Sequence, residues 1–153
     1  MLGSSIAVKL MEKQPSGGWV YNLEGLGSND VIIPGLSMYG TSKRAVTYFT
    51  KALAKELEER KNNVKAGLLS PGVMITDLTV KALGGEERIE LPDKTKKFYN
   101  IMGDYPDKVA GYLVKEILAN TRNGAHIQWL TGPKIAWRFM TAGIRKQDFF
   151  SEK

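Results

Sequence analysis

The chain has no cysteine and a single histidine in 153 residues. Without thiols it can build neither a disulfide framework nor a thiolate metal centre, and it carries no redox mark of its compartment. One histidine excludes a histidine cluster. Within Ala125-His126-Ile127-Gln128-Trp129 it reads as an ordinary strand residue, so no metal chemistry is expected. No apolar run approaches the roughly 20 residues that span a bilayer, and the N-terminus lacks a basic region followed by an apolar core and a cleavage site. Internal repeats and low-complexity tracts are lacking too. What remains, 42% hydrophobic and 25% charged, is the composition of one soluble or peripheral globular domain spanning 1–153. A net charge of +6 and a pI near 9.5 favour anionic partners. The cations are interleaved with acids, however, as in Lys55-Glu56-Leu57-Glu58-Glu59-Arg60-Lys61, which reads as a solvated helix face. Nucleic-acid binding is not expected.

The most informative stretch is Met38-Tyr39-Gly40-Thr41-Ser42-Lys43-Arg44-Ala45. Ala45, Val46, Phe49, Ala52, Leu53 and Leu57 recur at helical spacing, so the run predicts one amphipathic helix with Ser37 as its N-cap and its end near Lys61-Asn62-Asn63. Tyr39 and Lys43, four residues apart, then share a face. A phenol ionises near pH 10 in isolation and works as an acid or base at neutral pH only if a neighbouring cation stabilises its phenolate. Lys43 is that cation. The stabilisation needed is about 4 kcal/mol, within reach of a lysine and a positively charged cofactor acting together in a partly dehydrated site. Most isolated Tyr/Lys pairs on helices carry no such chemistry, so the neighbouring segments decide.

Those neighbours are two apolar, strand-like segments. Trp19-Val20-Tyr21-Asn22-Leu23 precedes the helix, and Val64 to Leu69, ending in Ser70-Pro71-Gly72-Val73-Met74-Ile75-Thr76, follows it; both suit buried parallel strands. In this order the chain resembles the C-terminal half of the short-chain dehydrogenase/reductases. Downstream, Phe98-Tyr99-Asn100-Ile101-Met102 and Ile127-Gln128-Trp129-Leu130-Thr131-Gly132-Pro133 look most like the chlorophyll(ide) b reductase branch. The resemblance implies a Rossmann-type, doubly wound α/β fold with a parallel sheet, lacking the N-terminal cofactor-binding half. No Gly-x-x-x-Gly-x-Gly turn lies near the N-terminus, nor an acidic or basic residue that would choose between NAD and NADP.

The same resemblance assigns roles. Tyr39 is the proton donor, and Lys43 assists it and holds the nicotinamide ribose. Asn22 supports the strand end beside the cofactor, and Pro71, Gly72, Val73 and Thr76 face the nicotinamide, with the Val73 backbone and the Thr76 hydroxyl as contacts. The cofactor implied is NADP, with NAD as the alternative, and the substrate is an apolar carbonyl or alcohol. The family's usual serine, three residues after the asparagine, is replaced here by Gly25, as in the chlorophyll b reductase branch. Ser28 is the nearest hydroxyl. Either it polarises the substrate oxygen or it turns the loop. Location in the cytoplasm or chloroplast follows from the same branch. A competing reading is a truncated, non-catalytic module that oligomerises through the Tyr39 helix, with Thr47, Lys51 and Lys55 facing a partner.

Elsewhere, Leu2 to Lys13 predicts a helix stopped by Gln14-Pro15-Ser16-Gly17-Gly18. Glu86 to Pro92 reads as a surface loop, and Leu78, Val80, Phe98, Tyr99 and Met102 are candidate walls of an apolar pocket. Pro106-Asp107-Lys108 opens a helix with Val109, Tyr112, Leu113, Ile117 and Leu118 on one face, ending before Asn123-Gly124. Ala125 to Leu130 predicts a third strand. The basic, aromatic tail from Pro133 to Phe150 reads as a docked terminal helix or as a segment lying on an anionic membrane surface.

Overall fold

A computed structural model describes residues 1–32, 34–76, 93–145 and 147–150. Leu78, Val80 and the Glu86 to Pro92 loop lie outside them. Two compact units emerge: Met1–Ser70 with Lys115–Gln128, and Pro71–Val114 with Trp129–Lys153.

In the first unit, helix α1 (Leu2–Met11) leads to strand β1 (Gly18–Leu23), helix α2 (Ser37–Glu59) and strand β2 (Val64–Ser70), and the unit closes with strand β5 (His126–Gln128). The strands form a parallel sheet in the order β1-β2-β5. Gly18 pairs with Val64 through to Leu23 with Leu69, and Leu68 pairs with His126 through to Ser70 with Gln128. Parallel neighbours joined through a helix need both faces covered, which explains why β1 and β2 carry apolar runs rather than alternation. Val8 of α1, Leu53, Ala54 and Leu57 of α2, and Val20, Val64 and Ala66 of the strands make one core. Complete burial of a side chain such as Leu57 stabilises by about 1.5–3 kcal/mol.

The buried face of α2 is more polar than its periodicity predicts. Thr47 and Thr50 are buried beside Leu53, Ala54 and Leu57. Each hydroxyl turns back to a helix carbonyl, Lys43 O at 3.2 Å and Val46 O at 2.7 Å, which lets threonine occupy a core position. Thr47, at 3% exposure, is therefore not available to a partner. Ser37 is the first helical residue rather than the cap; Leu36 holds the cap position with no side-chain hydrogen bond. The third strand is shorter than expected, because only three residues of β5 stay in register with β2.

In the second unit, strand β3 (Val73–Met74) pairs in parallel with β4 (Gly103–Asp104), with helices α3 (Asp93–Met102) and α5 (Gly132–Met140) beside them in sequence. Helix α4 (Pro106–Ala119) begins at the expected proline. The centre of this unit is ionic. Asp104, 1% exposed, pairs with Arg138, 2% exposed. Asp104 also accepts from Trp129 Nε1 at 2.7 Å and from Lys108 Nζ at 3.3 Å, while Arg138 Nη1 donates to Met102 O at 2.8 Å. Burial alone would raise the Asp104 carboxyl, but Arg138, Trp129 and Lys108 hold it below its ordinary value. No helix among the described residues is long and apolar enough to cross a membrane.

Candidate active site

Tyr39 and Lys43 occupy the first turns of α2, and the Lys43 ammonium lies 5.9 Å from the Tyr39 ring centroid. Lys43 Nζ donates to Leu23 O, at the end of β1, at 3.4 Å. One of its three N–H groups thus ties it to the strand end. Tyr39 is 44% exposed.

The loop after β1 closes on this pair. A Cβ added at Gly25 would fall 2.6 Å from Tyr39 Oη and 3.0 Å from Lys43 Cε. The absence of a Cβ at Gly25 is therefore what leaves room for both side chains. Gly27, at φ 90°, brings the loop backbone against Gly40 Cα, where an added Cβ would approach to 2.5 Å; only glycine meets both demands. Ser28 is 7% exposed. Its Oγ accepts from Gly25 N–H at 3.1 Å and sits 3.5 Å from Lys43 O, while Arg44 Nη1 donates to Ser28 O at 2.8 Å. Ser28 and Tyr39 thus reach the same residue, Gly25, one through its N–H and the other through the space above its Cα. Asn22 has both ends of its amide engaged: Oδ1 accepts from Ser4 Oγ at 3.0 Å and Nδ2 donates to Thr50 Oγ1 at 2.9 Å. It ties α1, β1 and α2 together behind the strand end.

Sequence reasoning missed a second cluster. Glu24 follows β1 directly and its N–H donates to Leu69 O at 2.8 Å. Its side chain is 8% exposed and meets His126 Nε2 at 2.6 Å through Oε2; its Oε1 lies 3.1 Å from Thr47 Oγ1. One carboxylate therefore links β1, β5 and α2 beside the Tyr39 site. The available signal was a carboxylate placed directly after a buried strand, a position where an unpaired charge is costly.

In the second unit, Pro71 is buried, and Gly72, at φ 73°, leaves no room for a Cβ, which would meet Leu130 Cδ1 at 2.6 Å. Val73 is in β3, and Thr76 is the last residue described before the interval at 77–92. Of the candidate pocket walls, Met102 is 8% exposed and Phe98 45%. Tyr99 stacks edge-on with Phe98 and Phe150, and its burial pushes the phenol up from its ordinary value. Among the described residues no group of three or more His, Asp or Glu is arranged to hold a metal.

A parallel sheet whose neighbouring strands are joined through a helix is of the Rossmann type. Residues 1–86 match the family described as short chain dehydrogenase, and the chain belongs to that oxidoreductase family. It is similar to chlorophyll(ide) b reductase NOL, chloroplastic, of Oryza sativa subsp. japonica, 34% identical over 95% of this chain and 43% of that protein. The chlorophyll(ide) b reductase NOL, chloroplastic, of Arabidopsis thaliana is 32% identical over 100% of this chain and 44% of its own length. The chain thus spans less than half the length of these relatives. Two solved structures share the fold. Acetoin dehydrogenase from Enterobacter cloacae superposes with a TM-score of 0.59 at 22% identity, covering 88% of this chain and 50% of that one. The 4-hydroxyisoleucine dehydrogenase complexed with NADH gives 0.55 at 20% identity, covering 83% and 50%.

Proposed function

We propose that the chain is the catalytic half of a nicotinamide-dependent reductase acting on a carbonyl group of a bulky apolar substrate, of the chlorophyll(ide) b reductase kind, with NADPH as the preferred cofactor. The observation that carries this reading is the half-exposed Tyr39 with the Lys43 ammonium 5.9 Å from its ring centroid, both side chains fitting against Gly25 because it has no Cβ. These residues fit the cofactor. Lys43 gives one N–H to Leu23 O and keeps two donors for ribose hydroxyls at the end of β1, where open α/β sheets place their ligands. A bound nicotinamide supplies or accepts the hydride at the substrate carbon.

On this reading the protein's own work is proton handling and orientation. Tyr39 gives its proton to the substrate oxygen as negative charge develops there, and Lys43 stabilises the charge left on the phenolic oxygen. Ser28 holds the Gly25 loop so that the substrate oxygen meets Tyr39 Oη, and Glu24 fixes the loop's origin against α2 and β5. All of 1–153 acts as one partial domain of the parent fold. The exposed side of α2, with Tyr48 at 75% exposure, pairs with a second copy. A chloroplast location follows from the chloroplastic relatives.

The test is titration of the 153-residue chain with NADPH, followed by tryptophan fluorescence, with NADH as the comparison. Saturable binding, tighter for NADPH, is expected. Tyr39→Phe should leave that binding within about twofold while lowering turnover of an aldehyde substrate by about 10²–10⁴-fold. A folded chain that binds neither nucleotide overturns the reading.

A further inference from the structure

The second unit contains a cavity of about 370 Å³ between α3, the end of α5 and the chain that follows it. Its volume falls within the range of small-molecule sites. Its lining is unbalanced in charge: Lys96, Lys97, Arg138 and Arg145 face it, against Asp93 and Asp148. Arg138 is already matched by Asp104. Asp148 is held by others, its Oδ1 accepting from Asn100 Nδ2 at 3.2 Å and from Phe150 N–H at 3.0 Å. Arg145 has no carboxylate partner among the described residues. Its Nη2 donates to Gln147 Oε1 at 2.8 Å, but its Nη1 is buried without a hydrogen-bond partner among the described residues.

A buried, charged N–H left without an acceptor is costly, and native folds keep few of them. The group that removes this cost is an oxygen anion, since a guanidinium presents parallel donors that match a carboxylate or phosphate edge. Ile101, Ala142 and Phe150 complete the lining, an apolar floor for the rest of such a molecule. We propose that this cavity is a binding site for a small organic anion, whose carboxylate or phosphate is received by Arg145 with Lys96 and Lys97, and whose apolar body rests on Ile101 and Phe150. The proposal stands on the second unit alone and does not depend on the reductase reading.

Calorimetric titration of the 153-residue chain with benzoate, phenyl phosphate, inorganic phosphate and neutral benzamide tests it. Benzoate or phenyl phosphate should bind saturably with one site, and benzamide should not. Preference between the two probes tells a carboxylate ligand from a phosphate one, and phenyl phosphate binding more tightly than inorganic phosphate marks use of the apolar floor. Arg145→Gln should weaken binding at least tenfold. Should that variant lose its helical circular dichroism, Lys96→Gln, on the surface of α3, should still weaken binding severalfold in the folded chain. Binding of none of the anions, equal binding of benzamide, or wild-type affinity in a folded Arg145→Gln overturns the proposal.

Discussion

In the unit built on β1, β2 and β5, buried polarity is mostly neutral: Ser4, Asn22 and Thr50 pass hydrogen bonds among themselves and to a helix carbonyl. Glu24 is its buried acid, and it reaches water through His126, whose side chain is 35% exposed. In the unit built on β3 and β4, a complete ion pair, Asp104 with Arg138, lies almost fully enclosed, with Trp129 and Lys108 on the same carboxylate. Neutral networks lose one bond at a time, whereas an enclosed charge depends on every partner at once. The first arrangement tolerates adjustment around the candidate site. The second fixes a centre.

The largest effect is therefore expected at Asp104. Asp104→Ala leaves the Arg138 guanidinium buried and unpaired, and should destabilise the second unit by about 3–5 kcal/mol, read as a shift of the urea transition followed by circular dichroism. Acid should act on the same group. The Asp104 carboxyl is held below its ordinary value of 3.8, so its contribution is fully present above the ordinary carboxylate range and is lost as pH falls through the lower folded value. A urea midpoint that is flat above pH 5 and falls steeply below pH 3.8 in the wild type, but not in Asp104→Ala, would bear this out. Equal acid sensitivity in both would contradict it.

A smaller effect, about 1–2 kcal/mol, is expected from Thr47→Val, which keeps shape and removes the hydroxyl 3.1 Å from Glu24 Oε1. If it matched the loss at Asp104, the contrast between the two units would fail. Gly25→Ala should cost less still in stability, under about 1 kcal/mol, because the added Cβ meets the half-exposed Tyr39 ring, which can turn outward, and the flexible Lys43 stem rather than backbone. Its effect should appear in turnover of an aldehyde substrate, as a loss of about 10²-fold on the proposed reading, since displacing a reacting group by about 1 Å is enough for that.

Much of the first unit was legible in the sequence, and for physical reasons. The apolar runs of β1 and β2 and the helical spacing of α2 report burial directly, and Tyr39 and Lys43 meet because four residues make nearly one helical turn. What escaped was polarity inside the fold. Thr47 and Thr50 look like surface residues until their hydroxyls are seen to return to the helix. Glu24 and His126 are 102 residues apart, and only the β1–β2 and β2–β5 registers together bring them side by side. The same holds for Asp104 and Arg138, 34 residues apart: each looks like a solvated charge, and pairing across the fold has no local period to announce it.

The smallest expected effect sharpens the comparison from the exposed side. Arg44 pairs with Asp30 at 2.8 Å, with side chains 49% and 74% exposed, at the mouth of the Gly25 loop. An ion pair this open is worth about 0–1 kcal/mol. Asp30 also holds a positive φ of 65°, which asparagine adopts as readily. Asp30→Asn should therefore preserve the backbone, remove the charge and leave the Arg44 bond to Ser28 O intact. Stability should change by less than about 0.5 kcal/mol, measured by urea denaturation in low and high salt. A loss above about 1 kcal/mol that vanishes in high salt would mean that exposed charge, rather than the Arg44 and Ser28 hydrogen bonds, holds the loop over Tyr39, and that the first unit relies on ion pairs as the second does.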